Sequence, residues 1–177
     1  PPTPTSKPTQ TPKPTPTSKP TPTLMPTPTI EPGAAYRIIG EAAFEAKRYH
    51  EAIDAFTTSL GFKPSDPATY ISRAKASMKI FEYSDAVADI NQSLSIDPDQ
   101  SEAYLMRLEA RVSGDERNPV RATTRQDYLE LVEDATRALE LPHDHSGDAR
   151  LYAMRGLAYG GAENWEAALL DLNRAIQ

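Results

Sequence analysis

From Gly33 onward the chain repeats itself about every 34 residues, and a period of that length restricts it to stacked units rather than one closed core. Residues 33–66 carry Tyr36, Ile39, Gly40, Ala52, Phe56, Leu60 and Pro64. One period later, residues 67–100 carry Tyr70, Arg73, Ala74, Ala86, Ile90, Leu94 and Pro98. Six of these seven positions keep their chemical type. Ala34, Ile38, Ala42 and Ala46 fall at helical spacing and predict a first helix over about 34–47. Ala52, Phe56, Ser59 and Leu60 predict a second over about 50–62. Gly40 and Ala52 are small enough for the two helices to approach closely, and Tyr49 closes the turn between them. Pro64 and Pro67 stop one unit and start the next.

The second unit ends on Ile96-Asp97-Pro98, and the third opens at Ser101 with Tyr104 and Leu108 in register. Its ending, Ala138-Leu139-Glu140-Leu141-Pro142, arrives about ten residues late. The excess falls near 116–126, between the two helices, and is expected as a longer loop or an N-terminal extension of the second helix. A fourth unit over 149–177 carries Tyr152, Gly156, Tyr159, Trp165, Ala168, Leu172 and Ala175.

This pattern resembles the tetratricopeptide repeat, W-x2-L-G-x2-Y then A-x3-F then P, over about four-fifths of the chain. The resemblance implies an all-α, right-handed solenoid of about eight antiparallel helices, each first helix (helix A) lining a concave groove and each second helix (helix B) backing it. By that resemblance the groove is lined by Arg37, Glu41, Phe44 and Glu45, then Ile71, Lys75, Met78 and Lys79, then Leu105, Glu109 and Val112, and finally Ala153, Leu157 and Gly160. This mixture of apolar and charged groups suits an extended peptide. Glu41 stands where relatives that grip a C-terminal carboxylate want Asn, which disfavours a chaperone-tail ligand.

Residues 1–32 are of a different kind. Twelve prolines, all but Pro1 at even positions, deny this segment helix and sheet. An extended polyproline-II-like tail is the regular state that remains. PTPTSKPT occurs at 2–9 and again at 14–21. Such Pro/Thr/Ser tracts resemble O-glycosylated stalks, with Thr3, Thr5, Thr9, Thr11, Thr15, Thr17, Thr21, Thr23, Thr27, Thr29, Ser6 and Ser18 as candidate acceptors of covalent glycans. The chain opens on Pro1 without a signal-peptide core and is expected to be a mature product, extracellular or at the cell surface.

A net charge of −6 argues against nucleic acid and against anionic membranes. No apolar run is long enough to insert in a bilayer. No cysteine is present, so disulfides and thiolate metal sites are excluded. No phosphate-cradling glycine loop or nucleophile motif occurs, and the reading is non-enzymatic, with no cofactor. His143, Asp144 and His145, with Asp148 nearby, lie in a connecting loop and make a poor metal site.

The expected partner is protein, with self-association head-to-tail as the leading reading. Leu169 and Leu170 give the last helix an apolar edge where a soluble solenoid wants a polar outer face, so further chain or another molecule must cover it. Lys7, Lys13 and Lys19, with Leu24, Met25 and Ile30, could lie in a neighbour's groove against Glu41, Glu45, Glu102 and Glu109. The result would be a fibre-type assembly. The alternative is an adaptor whose groove binds an extended peptide of another protein, the tail being only a linker.

Overall fold

The computed structural model describes residues 31–112, 121–142, 145 and 147–176. The tail, with its candidate glycan acceptors, lysines and apolar anchors up to Ile30, lies outside these residues. Eight helices form among the described residues: α1 Pro32–Glu45, α2 Tyr49–Phe62, α3 Pro67–Lys79, α4 Tyr83–Ile96, α5 Ser101–Val112, α6 Arg125–Glu140, α7 Asp148–Gly161 and α8 Trp165–Ala175. No strand occurs among them. Each helix packs on its chain neighbours, so α1/α2, α3/α4, α5/α6 and α7/α8 are four stacked hairpins.

The helix starts follow from local chemistry. Pro32 and Pro67 open α1 and α3, where a missing N–H costs nothing. The sequence places the first hairpin turn but gives no sign of how the turns are made, because their key residues are Lys47, Phe81 and Glu163 in the left-handed region, at φ 60°, 67° and 64°. Each sits one past a helix cap and closes a Schellman pair. For α1, Lys47 N–H donates to Phe44 O (2.9 Å) and Arg48 N–H to Ala43 O (2.9 Å). Phe81 and Glu82 repeat this on Met78 and Ser77, and Glu163 and Asn164 on Gly160 and Tyr159. A side chain in this conformation costs on the order of 1 kcal/mol, which glycine avoids. Phe81→Gly should therefore raise the denaturation midpoint, by roughly 1 kcal/mol of stability, although it deletes an aromatic ring. A lower midpoint in a urea melt would show that the Phe81–Tyr83 ring contact at 6.2 Å outweighs the strain.

The core runs along the stack as a row of helix A/helix B contacts in which size is inverted from unit to unit. Gly40 faces Phe56, Ala74 shares a cluster with Ile90, Leu108 with Ala135, and Gly156 faces Leu172. A Cβ on Gly40 would lie 2.5 Å from Cε1 of Phe56, so glycine is required where the partner is largest. Hydroxyls tie the hairpin ends together: Ser59 donates to Gly33 O, Ser93 to Pro67 O, and Ser101 to Ala138 O with donor and acceptor helices exchanged.

An arginine staple recurs in the second, third and fourth units. Arg73 donates to both carboxylate oxygens of Asp89 on its own hairpin (2.8 and 2.7 Å) and to Thr57 of the hairpin before (2.9 Å). Arg107 does the same with Asp134 and Asn91, and Arg155 with Asp171 and Thr136. Each guanidinium also lies over the tyrosine three residues earlier, 5.5–5.7 Å from the ring centre. One side chain thus joins three helices. In the first unit, Ile39 and Ala55 stand in these two slots.

The third unit departs between α5 and α6, as the late ending required. Arg107 and Asp134 are 27 residues apart, against 16 for the other two pairs. Arg125 and Gln126 nonetheless belong to α6, so the irregular stretch ends at Thr124, two residues short of expectation. Ala122 N–H donates to Arg111 O at 3.0 Å, returning the chain to the point where α5 ends. A capping box then starts α6: Thr124 accepts from Asp127 N–H, and Asp127 accepts from Thr124 N–H. Backbone hydrogen bonds from Thr123 and Thr124 hold the Asp127 carboxyl at about 2, below its ordinary value. Residues 116–120 of the expected insertion lie outside the described residues.

Candidate interaction groove

The helix A faces of the first three hairpins bring most of the expected residues together. On α1, Arg37 pairs with Glu41 one turn on, and the Phe44 ring meets Tyr49 edge-on at 5.5 Å. A small pocket of about 180 Å3 opens between α1 and α3, lined by Glu41, Phe44, Glu45, Phe56, Ser72 and Lys75. Met78 and Phe44 are half-buried against the core, and Lys79 is exposed beside them. Leu105 and Val112 on α5 are likewise half-buried.

Ile71 is a correction. Expected in the groove, it is only 7% exposed and packs with Ile90 and Met106. Its slot lies where one helix A meets the next hairpin, and an aliphatic side chain there gains more from the core than from the groove. Leu157 on α7 is 59% exposed, with Ala153 and Gly160 half-buried near it.

Acid–base pairs cross the groove from one helix A to the next. Lys75 Nζ lies 2.7 Å from Glu102 Oε1, and Glu109 Oε1 lies 2.9 Å from Arg150 Nη1. The two pairs use the same repeat positions with the signs reversed. Burial pushes the Glu109 carboxyl up, opposed by the charges of Arg150 and Lys79. Three of the four carboxylates expected to await an external lysine therefore already have partners: Glu41, Glu102 and Glu109. Such exposed pairs contribute about 0–1 kcal/mol each and yield to a competing ligand.

Sequence reasoning missed a larger cleft of about 710 Å3 between α4, α5 and α6. Arg107, Arg111, Arg121 and Arg137 line it together with Asp127, Glu130, Glu133 and Asp134, and Arg111 bonds both Asp127 and Glu130. The signal available was the repeated Arg73/Asp89 and Arg155/Asp171 spacing, which places Arg107 on this wall. Leu169 and Leu170 on α8 are both exposed but point to different faces. His145 Nδ1 lies 3.0 Å from Asp148 Oδ2, while His143 and Asp144 lie outside the described residues. Among the described residues no cluster of three or more metal-ligating side chains forms, and no helix is long and apolar enough to cross a membrane.

No protein-family model and no curated protein matches the sequence. Solved structures do match. MamA from Desulfovibrio magneticus RS-1, residues 41 to the end, superposes with a TM-score of 0.69 at 19% identity, over 82% of this chain and 75% of that one. YrrB, described as a TPR protein with an unusual peptide-binding site, gives 0.64 at 19% identity over 81% and 67%. The first TPR of Spaghetti (RPAP3), solved bound to the HSP90 peptide SRMEEVD, gives 0.56 at 22% identity over 78% and 94%. Eight described helices, four hairpins in register and these likenesses agree on one architecture: the chain has the tetratricopeptide-repeat solenoid fold.

Proposed function

We propose that the chain is a non-enzymatic protein-interaction module whose concave groove holds an extended peptide, with a basic residue of that peptide seated in the α1–α3 pocket. The chemistry of that pocket carries the reading. Phe44 and Phe56 offer a floor for the aliphatic stem of a lysine or arginine, and Glu41 and Glu45 offer carboxylates at the rim. Glu45 has no ion pair among the described residues, and Glu41 has only an exposed one with Arg37. A likeness in fold to proteins solved with, or described by, peptide sites supports the same use of this face. The acidic rim argues against the SRMEEVD type of ligand.

A second reading makes the held segment the arm of another copy. Lys7, Lys13 and Lys19 recur every six residues among Pro and Thr, and each would present a basic stem on an extended backbone. On this reading the protein is an extracellular, fibre-type structural subunit with an O-glycosylated arm. Hexose-sized mass increments confined to residues 1–32 would support that placement, and their absence from natively sourced protein would remove it.

Fluorescence anisotropy with a labelled peptide of two PTPTSKPT units, titrated with the full chain, tests the groove. Saturable binding is expected, weakened by salt and by about fivefold or more in the Glu41→Gln/Glu45→Gln double variant. Equal binding by a lysine peptide of unrelated sequence favours the adaptor over the self-binding arm. Binding of SRMEEVD with none of the lysine peptide overturns the pocket assignment.

A further inference from the structure

The first and last described helices, α1 and α8, expose the two halves of a contact that the chain makes internally three times. On α8 and its C-cap, Trp165, Leu169, Leu172 and Ile176 form one stripe at spacings of four, three and four. Trp165 is 69%, Leu169 62% and Ile176 84% exposed. Their counterparts in the earlier helix B segments are covered by the next helix A. Ile90 and Leu94 share a core cluster with Ala103 and Met106 of α5, and Tyr128, Val132 and Leu139 pack with the cluster that holds Leu151 and Ala158 of α7.

At the other end, α1 exposes Ile38, Ile39 and Ala42. The slot of Ala42 is alanine in every unit, and Ala76, Ala110 and Ala158 are buried there, Ala76 and Ala158 in clusters with residues of the preceding hairpin. The slot of Ile38 holds Ser72 in the second unit and Met106 and Met154 in the third and fourth, and both methionines pack into a core. Ile39 stands where the later units place the stapling arginine. The exposed face of α1 is thus an apolar version of the face that α3, α5 and α7 bury, in the same register.

We infer that α8 of one copy docks against α1 of a second copy, repeating the internal junction between hairpins. Both surfaces are apolar, they are differently placed on the molecule, and each matches the partner half of an existing junction. The contact is heterologous and uses the stacking geometry of the solenoid itself, so it extends the superhelix instead of closing a ring. It uses neither the groove nor residues 1–30, so it stands or falls separately from the proposed peptide binding. Position also separates the two leucines. Leu169 falls on the stacking stripe, whereas Leu170 takes the outer slot of Asp54, Ala88 and Glu133, exposed in every unit.

Sedimentation velocity of the full chain over a concentration series tests this. The mass is expected to rise with concentration past the dimer. Leu169→Glu, or Ile38→Glu at the opposite end, should weaken association about 100-fold, while Leu170→Glu leaves it unchanged. These side chains are exposed, so circular dichroism and the melting curve should stay as in the parent. An equimolar mixture of the Leu169→Glu and Ile38→Glu chains keeps one intact edge of each kind and should stop at a heterodimer. A parent chain that stays monomeric into the millimolar range overturns the inference. So does an effect of Leu170→Glu equal to that of Leu169→Glu, or a mixture that forms no dimer.

Discussion

Asp134→Ala should cost about 3 kcal/mol, because it strands a half-buried guanidinium that has no other carboxylate in bonding range among the described residues. Asp134 is buried and accepts from Nε and Nη2 of Arg107, at 2.9 and 2.5 Å. Burial alone would lower the Arg107 pKa, yet the hydrogen bonds and charge of Asp134 raise it, so the arginine stays charged. Without Asp134, among the described residues only the single bond to Asn91 and the face of Tyr104 remain. This staple also spans the irregular stretch after α5, so its loss loosens α4, α5 and α6 together. The first unit supplies the control, since Ile39 and Ala55 occupy the same two slots without charge. Arg107→Ile combined with Asp134→Ala should therefore recover most of the loss in a urea melt. The account is wrong if the double variant is less stable than Asp134→Ala alone, because removing the stranded charge would then bring no gain at this site.

The repeat period and the four hairpins were legible because each depends on residues close in sequence. Helical spacing of Ala52, Phe56 and Leu60, and the proline at 67, act within one helix or at its first turn; Pro32, counted with the tail, instead opens α1. How the turns are made was not legible. A Schellman end usually announces itself with glycine, and here Lys47, Phe81 and Glu163 adopt the left-handed conformation without any compositional sign. The staple lay open in the sequence as Arg73/Asp89 and Arg155/Asp171, but two charges sixteen residues apart look like ordinary surface until both helices are in place. Groove pairing was hidden for the same reason. Lys75 meets Glu102, and Glu109 meets Arg150, only once successive hairpins are stacked. Ile71 was assigned by repeat position alone, and position does not reveal that the neighbouring Met106 draws it into the core. Leu169 and Leu170 differ only in which slot of the unit each fills, and composition does not distinguish slots.

The inverted sizes along the core yield the other large effect. Leu108 is fully buried in the slot held by Gly40, Ala74 and Gly156, and the facing residue shrinks from Phe56 and Ile90 to Ala135. Leu108→Ala should then cost about 3 kcal/mol, through lost burial and a cavity that rigid helix backbones cannot close. Ala135→Ile alone should cost about 2 kcal/mol, because it drives a branched side chain into the space Leu108 fills. Together the two changes recreate the pair Ala74–Ile90, which the preceding hairpin already accommodates with both residues fully buried. The double variant should thus lie closer to the parent than either single one, with a coupling of more than about 1 kcal/mol in a double-mutant cycle read by urea denaturation. Strict additivity would mean that the two side chains do not share one volume. The alternation of large and small residues would then reflect separate packing against the flanking hairpins, and each hairpin would set its own interhelical distance.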